Sequence, residues 1–147
     1  MVEKIIGSAD IINRAGVTVS PATALAGKKA VGLYFSAHWC PPCKAFTPIL
    51  GEACNDAASD EFAMIFVSFD QSMPQFFEYF GSMPENWLAF SLSDKRREQL
   101  GQIFNVSGIP RLIILNAKTG AIINNDARAE VTQKGPEAIL GYVAKAQ

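Results

Sequence analysis

Ala30-Val31-Gly32-Leu33-Tyr34-Phe35-Ser36-Ala37-His38-Trp39-Cys40-Pro41-Pro42-Cys43 is the stretch that decides the fold. Residues 30–35 are apolar on both faces, the pattern of a central parallel strand. From about Pro41 to Ala58 the sequence reads as a helix. Prolines are tolerated in its first turn, where the N–H groups have no intrahelical partner. Cys40 therefore follows a buried strand directly and opens a helix. Unpaired N–H groups and the positive end of the helix dipole face its sulfur there. Both favour a thiolate, the attacking species in disulfide exchange. Cys43, three residues on, is near enough to close a disulfide and less exposed, which suits a resolving thiol. Pro41 and Pro42 stiffen the turn between them, and Trp39 can shield the sulfur and offer a flat apolar contact. A Cys-X-X-Cys pair is a moderate signal alone and a strong one at this junction.

Working outward, residues 10–14 and 17–19 read as a short hairpin, and Pro21 to Gly27 as a turn or one helical turn. Pro48 falls inside the helix that follows Cys40 and should kink it. Residues 62–69 form a second buried strand, and Met73 to Phe80 a helix crowded with aromatics. Residues 83–87 are a loop. Asp94 to Phe104 is amphipathic, capped by Asp94, with Leu100, Ile103 and Phe104 on one face. Residues 111–115 and 121–123 make a hairpin around Asn116-Ala117-Lys118-Thr119-Gly120, and Pro136 to Lys145 closes the chain as a helix. Strands alternating with helices imply an α/β chain with its sheet covered on both faces.

The 147 residues fit one domain, taken as 1–147. At 49% hydrophobic and 18% charged, the chain is neither disordered, collagenous nor a coiled coil. A net charge of −1 argues against nucleic-acid binding. No apolar run approaches the ~20 residues that span a bilayer, and the start lacks the pattern of a signal peptide. The expected compartment is the cytoplasm. Three cysteines are too few, and an odd number, for a secreted disulfide scaffold.

Residues 35–48, Phe35-Ser36-Ala37-His38-Trp39-Cys40-Pro41-Pro42-Cys43-Lys44-Ala45-Phe46-Thr47-Pro48, closely resemble the active-site segment of tryparedoxins and nucleoredoxins, a branch of the thioredoxin superfamily. The likeness extends to Val67-Ser68-Phe69-Asp70, to residues 104–110 and 119–123, and to Ala127-Arg128-Ala129. It implies a thioredoxin fold, a three-layer α/β/α sandwich with a central mixed sheet and an added N-terminal β-hairpin. It also implies a cis-Pro110 packed on the disulfide, Ile109 backbone atoms pairing with substrate, Cys40 as nucleophile and Cys43 as resolving residue. Arg128 stands where an arginine lies near the bound thiol substrate in tryparedoxins.

Departures from the pattern are informative. Most thioredoxins carry a buried acid six residues before the first cysteine, and Tyr34 stands there. The proton acceptor for Cys43 must come from elsewhere, and Asp70, at the end of a neighbouring strand, is the candidate. Arg111 follows Pro110 where tryparedoxins usually carry a small hydroxyl residue.

Other residues read more plainly. His38 is an exposed neighbour of the pair. Cys54 lies eleven residues after Cys43, about 16 Å along a helix, and reads as a buried small hydrophobe. That distance also excludes a zinc site made from His38, Cys40, Cys43 and Cys54, since Zn–S bonds are only about 2.3 Å. Ala37 stands where a peroxidatic site would need threonine, which makes the chain a donor to peroxidases. Phe76, Phe77, Tyr79 and Phe80 read as core, with Tyr79 and Trp87 candidates to rim the site. Lys95-Arg96-Arg97 reads as a solvated helix face.

The expected function is a thiol–disulfide oxidoreductase acting on protein disulfides, for example those of peroxiredoxin-type peroxidases. Its electron donor would be trypanothione, glutathione or a thioredoxin-type reductase, and it needs no cofactor. The alternative is a nucleoredoxin-like binding module switched by its own disulfide.

Overall fold

The computed structural model describes residues 2–146. Seven strands form one mixed sheet. They are β1 (Ile11–Asn13), β2 (Thr18–Val19), β3 (Ala30–Ser36), β4 (Phe62–Ser68), β5 (Leu88–Ala89), β6 (Arg111–Asn116) and β7 (Ile122–Asn124). Their spatial order is β2-β1-β5-β4-β3-β6-β7. β3 lies parallel to β4 and antiparallel to β6, so it is an interior strand, paired on both edges as its two apolar faces suggest. The expected hairpin, β1–β2, extends the sheet by pairing antiparallel with β5.

Alternation along the inner strands divides the core in two. Tyr34, Phe66, Met64, Leu112 and Ile114 point to one face, where they meet helices α3 (Pro41–Ala57), α4 (Met73–Gly81) and α7 (Pro136–Lys145). Leu33, Phe35, Ile65, Val67 and Ile113 point to the other, covered by α1 (Glu3–Ile6) and α5 (Arg96–Ile103). α2 (Pro21–Ala24) links the hairpin to β3, and α6 (Arg128–Lys134) precedes α7. This is the thioredoxin fold in three layers. At Gly32 in β3 a Cβ would stand 2.7 Å from Met64 Sδ, so a side chain there would have to push the end of Met64 aside.

Several expectations change. α1, β5 and α6 were not expected, whereas α3 encloses Pro48 as the sequence reads. Ile103 is 58% exposed, so the inward face of α5 rests on Leu100 with Phe104 partly buried behind it. Asp94 precedes the cap position, which Lys95 occupies. Its Oδ1 still accepts the Arg96 N–H at 2.9 Å. The basic run is also not a solvated face. The Arg96 guanidinium donates to the carbonyls of Ile6, Ala9 and Asp10 and to the Asp94 carboxylate, and lies 4.6 Å from the Phe90 ring centroid. Arg97 donates to the carbonyls of Ser68 and Leu92. Only Lys95 of the three is exposed. Burial alone would raise the Asp94 carboxyl, but the hydrogen bonds and charge of Arg96 overcome it and hold that group below the usual carboxylate range.

Candidate active site

Cys40 ends the β3–α3 turn as the N-cap of α3, with Pro41 and Pro42 opening the helix. Its Sγ accepts the Cys43 N–H at 3.3 Å, in the place usually held by a serine or aspartate oxygen. The two sulfurs are bonded, with Cα atoms 5.2 Å apart. Cys40 is 4% exposed and Cys43 fully buried. Around them lies an apolar cluster of Ala37 with the partly buried Phe69 and Ile109. The Ile109–Pro110 peptide is cis. The Ile109 carbonyl oxygen lies 3.8 Å from Cys40 Sγ, where it can accept from the reduced thiol. Trp39 is half exposed, and its indole N–H donates to the Phe69 carbonyl at 3.0 Å. The indole is thus fastened across the mouth of the site.

Asp70 is buried beside this turn. Its Oδ1 accepts the His38 N–H at 2.7 Å and its Oδ2 accepts the Ser68 hydroxyl at 2.7 Å. The carboxylate therefore ties the end of β4 to the residues leading into Cys40. The His38 ring reaches the other way, to within 3.6 Å of the Glu78 carboxylate on α4.

Beneath Cys43 sits a group that the spacing of the sequence concealed. The Thr47 hydroxyl donates to the Cys43 carbonyl at 2.9 Å and meets the Tyr34 hydroxyl at 2.7 Å. The Tyr79 hydroxyl joins Thr47 to Ser36. Burial, with Tyr79 adding to it, pushes the Tyr34 phenol far above its ordinary value. The buried acid beside the pair is Asp70, and around Tyr34 the site rests on a neutral web of hydroxyls. Only the i, i+4 spacing of Cys43 and Thr47 hinted at it. Trp87 does not rim the site. It is 2% exposed, set edge-on to Tyr34 in the core.

On the far side of the disulfide, Pro42, Phe46, Pro110 and Arg128 line a cleft of about 380 Å³. Arg128 starts α6, with its Nε 3.5 Å from Asp126. Arg111 donates to the Asn125 carbonyl at 2.8 Å and to its side-chain oxygen at 2.7 Å. It thereby fastens the loop before Arg128 to the start of β6, directly after Pro110. Cys54 is apart from all this, packed against the core, and burial pushes its thiol up to about 12.

A thioredoxin fold with a Cys-X-X-Cys pair at the N-terminus of the helix after the central strand, facing a cis-proline, defines a class: dithiol–disulfide oxidoreductases. A thioredoxin-like family model matches residues 27–122. Tryparedoxin from Trypanosoma brucei brucei is 43% identical over 107 residues, 71% of this chain and 73% of that protein. Nucleoredoxin from Mus musculus is 45% identical over 104 residues, 69% of this chain but only 23% of that longer protein. Tryparedoxin II from C. fasciculata superposes with a TM-score of 0.83 at 38% identity, covering 93% of this chain and 89% of that one. The chain belongs to the tryparedoxin and nucleoredoxin branch of the thioredoxin-like family.

Proposed function

We propose that the protein reduces disulfides of other proteins, peroxiredoxin-type peroxidases among them, in a reducing cytoplasm. The observation that carries this is the placement of Cys40 Sγ, capped by a backbone N–H at a helix N-terminus and facing the Ile109 carbonyl. In the reduced protein the Cys40 thiolate attacks one sulfur of the substrate disulfide, forming a mixed disulfide and releasing the other sulfur as a thiolate. Cys43 then loses its proton and attacks Cys40. That closes the 40–43 disulfide and frees the second substrate thiol, so two electrons leave the protein. Asp70 is the proposed acceptor of the Cys43 proton. Each of its oxygens accepts one hydrogen bond and keeps a second lone pair that can take the proton.

Trp39, Pro42 and Pro110 supply the apolar walls against which the incoming disulfide lies, Pro41 stiffens the turn, and Arg128 meets the anionic end of a small thiol. Reduction of the 40–43 disulfide by a low-molecular-weight dithiol such as trypanothione, by glutathione or by a thioredoxin-type reductase completes the cycle. A tryparedoxin II has been solved in complex with glutathionylspermidine, which favours the small-thiol route here.

Cys43→Ser should trap protein substrates covalently on Cys40, and mass spectrometry of the adducts should map every one to that sulfur. Adducts on Cys54 would overturn the assignment. The likeness to nucleoredoxin supports a second reading, a binding module switched by its disulfide. Partner binding that survives Cys40→Ser, with no insulin reduction by the wild type, would favour the module over the enzyme.

A further inference from the structure

A groove of about 1080 Å³ runs along α3 on the side away from the Arg128 cleft, walled opposite by α4 and residues 82–86. Its end nearest the reactive pair is lined by His38 and Lys44, two residues before Cys40 and one after Cys43 in sequence. Glu52 and Asp56 line the other end, and Glu85 faces them from the loop. From Lys44 to Asp56 the helix rises about 18 Å, the reach of five or six residues of extended chain. A small thiol has no use for that length.

The charges along it are uneven. At the Cys40 end Lys44 is exposed, and the His38 ring lies 3.6 Å from the Glu78 carboxylate. Arg14 also borders the groove and adds a positive charge beside residues 82–86, where its guanidinium donates to the Met83 carbonyl at 2.7 Å. Glu52, Asp56 and Glu85 are all exposed, so three carboxylates gather at the far end.

We infer that this groove docks an extended segment of the protein substrate, one that carries basic side chains about five residues from its reacting cysteine. The inference rests on the reading of Cys40–Cys43 as a disulfide reductase and adds to it a preference among protein partners. Small disulfides, which do not reach along α3, are indifferent to it.

The test compares two disulfide-bearing peptides that differ only in carrying lysines or glutamates at that distance, with glutathione disulfide as the short control. Wild type should show kcat/KM about tenfold higher for the basic peptide, the size three exposed charge pairs can supply together. The E52K/D56K/E85K variant should lose that preference and reduce glutathione disulfide as before. Equal wild-type values, or a preference that survives the triple reversal, would overturn the inference. Amide shifts on adding a cysteine-free basic peptide provide a readout without turnover. Shifts along residues 44–56 and 82–86 uphold docking even if no disulfide is reduced, which would defeat the reductase reading alone. No shifts, or the same shifts produced by a free diamine, would defeat the peptide assignment.

Discussion

Replacing Asp70 with Asn tests the joint between β4 and the reactive turn. The carboxylate is 4% exposed and accepts two hydrogen bonds of 2.7 Å, from the His38 N–H and the Ser68 hydroxyl. Asparagine keeps one acceptor and turns a donor toward the other position, where the Ser68 oxygen already receives the Asp70 N–H at 2.8 Å. Hydrogen bonds to a charged group contribute about 1 kcal/mol more than neutral ones, so losing the charge across two of them costs roughly 2 kcal/mol. For a domain of this size that is a fall of about 6 °C in Tm. Circular dichroism melts of the reduced protein measure it directly. Stopped-flow kinetics then separates the two roles of the residue. A proton acceptor accounts for a hundredfold or more in the step it serves. Resolution of the mixed disulfide should therefore slow at least about tenfold more than the first attack. An unchanged Tm would refute the structural reasoning, and equal slowing of both steps would leave Asp70 a positioning residue only.

Three further outcomes follow from the same geometry. Tyr79→Phe leaves the Ser36 and Thr47 hydroxyls without their bridge and should cost about 1–3 kcal/mol in urea unfolding, with the reactive pair still able to oxidise. Asp94→Asn should lower stability at pH 7. Because the folded carboxyl titrates below its unfolded value, the stabilisation is whole above about pH 4 and fades as pH falls through the folded value, so the gap to wild type should narrow in denaturation curves as pH is lowered from there. Cys54, held up to about 12, should resist iodoacetamide at pH 8 in the native protein and react on unfolding. Fast native labelling there would contradict its packing.

The strand before Cys40 and the helix after it were legible because both carry unbroken patterns over many residues. α6 was not, since Val131 is its one buried side chain and gives no period to read. β5 has only Leu88 and Ala89, shorter than any strand signal, and it is recognised by its pairing with Ile65 and Phe66. Arg96 looked solvated because its acceptors are main-chain carbonyls of residues 6, 9 and 10, and carbonyls leave no trace in a sequence. The reactive pair was readable from its spacing, whereas the hydroxyls beneath it come from positions 34, 36, 47 and 79, which only folding brings together.

The two tryptophans occupy opposite circumstances, one half in water beside the disulfide and the other sealed against Tyr34. Their emission should therefore divide into two colours. The red-shifted part, quenched while the neighbouring sulfurs are bonded, would brighten on reduction. The blue part would stay constant until the protein melts. The molecule thus carries its own optical gauge of redox state, with an internal reference that reports whether it is still folded.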